Sequence, residues 1–131
     1  MRVMLDTNVL ISAAIFPNDR MTSLIYKATV EHQLVLSSYI IDELLDVIKR
    51  KFPDKIKAVD LFLMRLPYEL IYTPKEQDHE LFKIRDIKDY PVLYSAIIDD
   101  VDLFVTGDDD FRSVVVNKPK IITPSEYLEK Y

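Results

Sequence analysis

Arg2-Val3-Met4-Leu5-Asp6-Thr7-Asn8 is the stretch whose reading decides the fold. Val3 to Leu5 is a short, unbroken apolar run, the pattern of a strand buried on both faces, as in a parallel sheet. It ends in Asp6, and a helical pattern with Val9, Leu10, Ile11 and Ala14 begins at once. A carboxylate therefore stands where a buried strand gives way to a helix. In open α/β sheets, ligands bind in the crevice outside the carboxyl ends of the strands. Taken singly, Asp6 reads equally as the N-cap of the helix. A chemical role depends on how many further acids arrive at the same edge.

Outward from this stretch, strand-like and helix-like segments alternate. Thr7 to Ile15 reads as a helix, Pro17-Asn18-Asp19 as a turn and Thr22 to Glu31 as a second helix. Gln33 to Leu36 is a second strand. Ser38 is placed to N-cap an amphipathic helix with Ile40, Ile41, Leu44, Leu45, Val47 and Ile48 toward a core. That helix runs out in Lys49-Arg50-Lys51, favourable against its dipole, before Pro53. Asp54 to Leu66 is the next helix and Glu69 to Tyr72 a third strand. Pro74 to Phe82 reads as a turn and a short helix. Asp89 is placed to N-cap a helix from Pro91 to Ile98, with the proline in its first turn. Leu103 to Thr106 and Lys120 to Ile122 are the fourth and fifth strands. Thr123-Pro124-Ser125-Glu126 is a capping box that opens the last helix. The expectation is a single α/β domain over 1–131: helices on both faces of a twisted, mainly parallel sheet of about five strands.

Bulk composition narrows the function. The chain has 131 residues, 49% of them hydrophobic, enough for one real core. No apolar run approaches the roughly 20 residues of a membrane span, and no signal-peptide pattern opens the chain, so a cytoplasmic location is expected. The absence of cysteine excludes disulfide scaffolds and thiolate metal sites. The two histidines, His32 and His79, are too few and too far apart for a histidine-rich zinc site. A net charge of −5 argues against an ordinary basic nucleic-acid binder. It does not argue against an enzyme that gathers carboxylates around metal ions, since the ions invert the local charge.

In a right-handed βαβ unit each helix begins where its preceding strand ends. Four acids then converge by topology: Asp6 after the first strand, Glu43 early in the helix after the second, Asp89 opening the crossover helix, and Asp108 one residue past Gly107. Singly, each has an ordinary reading as a cap, a solvated helix charge or an acidic turn. Together they would repel and take up protons unless a cation compensated them. Mg²⁺ takes oxygen ligands and is usually held by a few carboxylates with waters and substrate phosphate oxygens. Such an ion can activate water and stabilise charge developing on phosphate, with no need of histidine or cysteine.

At this point the residues resemble the PIN domain nucleases, a family that includes the VapC-type toxins of toxin–antitoxin pairs. The resembling motifs are Met4-Leu5-Asp6-Thr7-Asn8-Val9-Leu10, Ser38-Tyr39-Ile40-Ile41-Asp42-Glu43-Leu44, Asp89-Tyr90-Pro91-Val92-Leu93 with Ala96, and Val105-Thr106-Gly107-Asp108-Asp109-Asp110-Phe111. They occur in the family's order and at PIN-like spacing from Val3 to the last helix. The resemblance implies a PIN-like α/β/α fold and an Mg²⁺- or Mn²⁺-dependent ribonuclease. It implies Asp6, Glu43, Asp89 and Asp108 as the catalytic and metal-holding quartet. Asp110 would be a further ligand or its partner, and Asn8 and Thr106 the polar residues that orient the pocket. Asp86 is a rival for Asp89, and Asp42 for Glu43, a rotation of about 100° on a helix. The family also implies a homodimer and an antitoxin partner.

RNA approaching an acidic pocket needs basic residues on the rim. Arg85 and Lys88 are the better candidates for phosphate contact, and Lys49-Arg50-Lys51 reads rather as a solvated helix end. Tyr39 and Tyr90 flank two of the acids and read as packing residues before they read as base-stacking platforms. Three other functions compete. A haloacid-dehalogenase-type phosphatase would want an aspartate at position 8, which is Asn8. A receiver-like phosphoacceptor domain would want adjacent acids after the first strand. A PIN scaffold that only binds RNA or a protein would not need all four acids.

Overall fold

In the computed structural model, which describes residues 1–131, the chain forms one five-stranded sheet. The strands are β1 (Arg2–Leu5), β2 (Gln33–Ser37), β3 (Glu69–Ile71), β4 (Leu103–Val105) and β5 (Lys120–Ile122). Their order is β3-β2-β1-β4-β5, and all four pairings are parallel. The helices are α1 (Thr7–Ile15), α2 (Asp19–Tyr26), α3 (Ser38–Lys51), α4 (Ile56–Arg65), α5 (Tyr90–Ile98), α6 (Asp109–Arg112) and α7 (Pro124–Lys130). Val3, Met4 and Leu5 are fully buried, although successive side chains point to opposite faces, so helices cover both sides. Each of these side chains contributes about 1.5–3 kcal/mol through burial. The fold is thus the α/β/α arrangement expected from the alternation, with every strand parallel.

The strand order has one consequence for function. From β1 the chain winds outward through β2 to β3, then returns to place β4 on the other side of β1. The reversal falls between β1 and β4, where Met4 pairs with Phe104 and Leu5 with Val105. Such a switch point opens a crevice at the carboxyl edge. Asp6 continues this pairing, its N–H donating to the Val105 carbonyl at 3.0 Å.

Several local expectations are corrected. Ser37, not Ser38, caps α3: its hydroxyl accepts from the Ile40 N–H, while Ser38 accepts from the Thr73 N–H and ties the helix start to the segment after β3. Helix α2 starts at Asp19, capped by Asn18, and its last turn widens to a π-turn over Lys27–Glu31. The short helix expected between Pro74 and Phe82 does not form. Tyrosine side chains replace helical partners there: the Asp78 N–H donates to the Tyr94 hydroxyl, and the Tyr90 hydroxyl donates to the Asp78 carbonyl. Asp89 makes no side-chain cap bond to α5; it closes a 3-10 turn over Ile87–Asp89 that Asp86 caps. The capping box of Thr123 and Glu126 forms as expected. No helix is long and apolar enough to cross a membrane.

The amino edge of the sheet is also acidic, and every acid there has a cation. The Arg2 guanidinium bonds Asp99 and Glu69, and the Arg2 N–H donates to Asp102 at 2.7 Å. Lys118 reaches Asp100 at 3.0 Å and Asp102 at 3.2 Å.

Candidate active site

Asp6 is buried at the end of β1 and has both carboxylate oxygens engaged. One accepts the Thr7 N–H at 2.7 Å, which is the N-cap bond of α1. The other accepts the Thr106 hydroxyl at 2.8 Å. That same Thr106 oxygen accepts the Asp108 N–H at 3.0 Å. A hydroxyl has one proton to give and lone pairs to receive. Thr106 uses both, and so fastens the end of β1 to the loop after β4. The structural and the chemical reading of Asp6 are therefore compatible: the cap bond fixes the orientation of a carboxylate in the crevice.

Glu43 is half-buried on α3 and accepts the Thr7 hydroxyl at 2.5 Å. Thr7 thus holds Asp6 through its N–H and Glu43 through its hydroxyl. It was not singled out from the sequence, although it sits inside the Asp-Thr-Asn motif. A Thr at the first helical position, immediately after a strand-end Asp, is the signal the sequence offers. Asp42 and Asp86, the two rivals, are both exposed, and Asp86 spends a carboxylate oxygen on the Lys88 N–H.

Asp89, Asp108 and Asp110 are half-buried, and one carboxylate oxygen from each lies within 4.8 Å of the others. Asp108 caps α6 by accepting the Asp110 N–H at 2.9 Å. Asp110 also receives a bidentate pair from Arg85, at 2.8 and 3.0 Å. Arg85 is thus joined to the acidic group it was expected to rim. Lys88 is exposed, its carbonyl accepting from the Tyr39 hydroxyl at 2.8 Å. Tyr90 is buried and stacked on Phe82, with ring centroids 4.1 Å apart, a packing role. Asn8 is exposed and lines a hollow beside Gly107.

The electrostatics follow from this crowding. Burial pushes the Asp6 carboxyl up to about 6, and Glu43 and Asp108 add to the push, against the hydrogen bonds from Thr106 and Thr7. Burial, followed by the charges of Asp86, Asp108, Asp6 and Glu43, pushes Asp89 up to about 7. Asp110 moves the other way, because its hydrogen bonds to Arg85 hold it below the usual carboxylate range. Four carboxylates from separate segments thus feel one another across a single crevice. Clustered hard oxygen donors, with Asp6 and Asp89 raised in proton affinity, fit a divalent cation such as Mg²⁺ or Mn²⁺.

A parallel α/β sheet with carboxylates gathered at its switch point places the chain among α/β domains whose ligands bind at the carboxyl edge. Within that class, the PIN domain family model matches residues 2–110, and the chain belongs to this family. Its fold is that of VapC structures. It superposes on VapBC2 from Rickettsia felis, solved bound to a DNA fragment from their promoter, with a TM-score of 0.72 and 21% identity over 93% of this chain and 97% of that one. It also superposes on Mycobacterium tuberculosis VapC20, a sarcin-ricin-loop-cleaving toxin, with a TM-score of 0.59 and 10% identity over 85% and 93% of the two chains. A sequence search of curated proteins finds no match.

Proposed function

We propose that this chain is a divalent-metal-dependent endoribonuclease that hydrolyses RNA phosphodiester bonds and serves as the toxin of a toxin–antitoxin pair. The observation that carries this reading is the meeting of Asp6, Glu43, Asp89 and Asp108 at the switch point. Uncompensated carboxylates there are costly unless they hold something. Membership of the PIN family and the VapC-like fold support it.

Asp89 and Asp108, which with Asp110 each bring a carboxylate oxygen within 4.8 Å of the others, are the residues that would hold Mg²⁺ or Mn²⁺, with buried Asp6 and half-buried Glu43 beside them. Bound there, the ion supplies Lewis-acid stabilisation of phosphate charge and a lowered pKa for water. Thr106 and Thr7 fix the carboxylates before substrate arrives, so no reorganisation is required at the moment of reaction. Asp110 has two roles in this reading: through Arg85 it is neutralised, and through its N–H it holds Asp108. Lys88 supplies a cation on the rim for the RNA backbone. The VapBC2 complex supports an antitoxin partner, and a homodimer is the expected assembly.

The test is cleavage of mixed RNAs by the purified protein with Mn²⁺, with Mg²⁺ and with chelator, beside Asp108→Asn. Cleavage that requires the ion and is lost in the variant is the expected result. Equal cleavage by wild type and variant would mark a contaminating nuclease and remove the proposal.

A further inference from the structure

A second feature of the carboxyl edge is not used by the carboxylates. Asn8, Ser12, Arg20 and Gly107, with Val9, Met21 and Pro124, wall a hollow of about 220 Å³. Its position is set by the crevice: Asn8 is two residues past Asp6, and Gly107 is bonded to Asp108. On another side of the acids, a hollow of about 440 Å³ is lined by Tyr39, Asp42, Glu43, Asp46, Arg50 and Lys88, with Arg50 paired to Asp46. The acids therefore lie between two hollows, one carrying Arg20 and the other Lys88 as the cation with no carboxylate partner.

Arg20 is unusual among the arginines. Arg2, Arg50, Arg85 and Arg112 each pair with a carboxylate. Arg20 instead donates to the neutral Ser125 hydroxyl at the start of α7. The guanidinium is held in place with its charge uncancelled, at the one edge of the sheet where carboxylates also go unpaired. A fixed, planar, always-charged fork suits a phosphodiester oxygen pair.

Gly107 is the second observation, and it is independent. It is the only glycine in the chain. Its backbone does not need glycine, because φ is not positive. Packing does not need it either, since a Cβ there would meet nothing within 4 Å. Neither conformation nor crowding explains the missing side chain. An open wall between Asp108 and Arg20 does.

Resting on the ribonuclease reading, we infer that this hollow seats an RNA backbone phosphate next to the one being cleaved, with Arg20 as its cation and Gly107 leaving the passage open. Asn8 and Ser12, four apart on α1, share the face that would donate the remaining hydrogen bonds. The strand then runs from this hollow across the acids toward Lys88.

The test uses fluorescence anisotropy of a labelled single-stranded RNA in Ca²⁺, and cleavage of the same RNA in Mn²⁺. Arg20→Gln, Arg20→Lys, Gly107→Val and Arg65→Gln are compared with wild type. Arg65 is the other arginine without a carboxylate partner and lies among apolar residues in a different hollow, so it controls for general loss of charge. Arg20→Gln is expected to weaken RNA binding and raise KM about tenfold, and to reduce the salt slope by about 0.7. Its kcat should change little, and Arg20→Lys should recover part of the loss. Gly107→Val should keep the melting temperature and lose RNA affinity. Arg65→Gln should match wild type. RNA affinity and KM that are the same in Arg20→Gln as in Arg65→Gln would overturn the inference. If wild type binds RNA through Arg20 but never cleaves it, the nuclease reading fails and the phosphate seat stands. If wild type neither binds nor cleaves, both fail.

Discussion

The two ends of the same sheet are both acidic, and they treat their acids in opposite ways. At the amino edge, Asp99, Asp100, Asp102 and Glu69 are met by Arg2 and Lys118. The Arg2 N–H and Lys118 hold the Asp102 carboxyl below its ordinary value. At the carboxyl edge, Asp110 alone among the acids gathered in the crevice has a cation, while burial and like charge raise Asp6 and Asp89 to about 6 and 7. At the amino edge every one of these acids touches a cation of the chain itself. At the carboxyl edge Asp6, Glu43, Asp89 and Asp108 touch none, and that incompleteness is what marks this edge as the candidate site.

Paired substitutions at the two edges give the largest expected effect. Asp108→Asn should reduce RNA cleavage at least about a hundredfold, the scale of losing a metal-holding group. The amide can still accept the Asp110 N–H, so melting temperature should hold or rise as repulsion is relieved. Asp102→Asn should leave cleavage unchanged and lower stability. A comparable loss of cleavage from both would break the distinction between the edges.

The next largest effect is on stability against pH without divalent ions. A carboxyl with a raised folded-state pKa binds its proton more tightly in the folded chain than in the unfolded one. Its contribution is therefore fully present below about 4 and is lost as pH rises through the folded value. For buried Asp6, raised from 3.8 to about 6, the loss is at most about 3 kcal/mol by pH 7. Asp89, more exposed, adds a smaller amount in the same direction. Asp102 has the opposite sign, stabilising above about 4 and losing its contribution in stronger acid. Urea unfolding in chelator should show stability falling from pH 5 to 7.5, with Mn²⁺ restoring it at the upper end. A profile flat over that range, with and without Mn²⁺, would contradict the incomplete edge.

Smaller effects belong to the completed edge. Arg2→Ala should cost about 1 kcal/mol, since the pairs are partly exposed, and leave cleavage intact. Asp100 lies in the turn from α5 to β4 with φ of 57°, a conformation that favours glycine. Asp100→Gly should stabilise by up to about 1 kcal/mol, measured by urea midpoint, despite losing its exposed ion pair to Lys118.

Much of the candidate site was legible because its signals are local. A buried apolar run ending in an acid, a Ser-started amphipathic helix and a Gly-Asp turn after another apolar run each lie within about ten residues. Helix starts were less legible where side chains from elsewhere competed: Ser38 serves Thr73 rather than its own helix, and Asp89 leaves the capping to Asp86 one turn earlier. The segment from Pro74 to Phe82 misled for the same reason, since Tyr90 and Tyr94 supply the backbone partners a helix would have given.

The sequence by itself determined the alternation of strands and helices, the burial of Val3 to Leu5 and the arrival of acids at strand ends, because periodicity and capping are written in neighbouring residues. Only the tertiary structure decided that β4 lies beside β1, that Thr106 joins Asp6 to Asp108, that Arg85 neutralises Asp110 and that Arg20 stands unpaired. Those depend on which faces are buried against which, and on charges as far apart in sequence as Asp6 and Asp108 being brought to one edge.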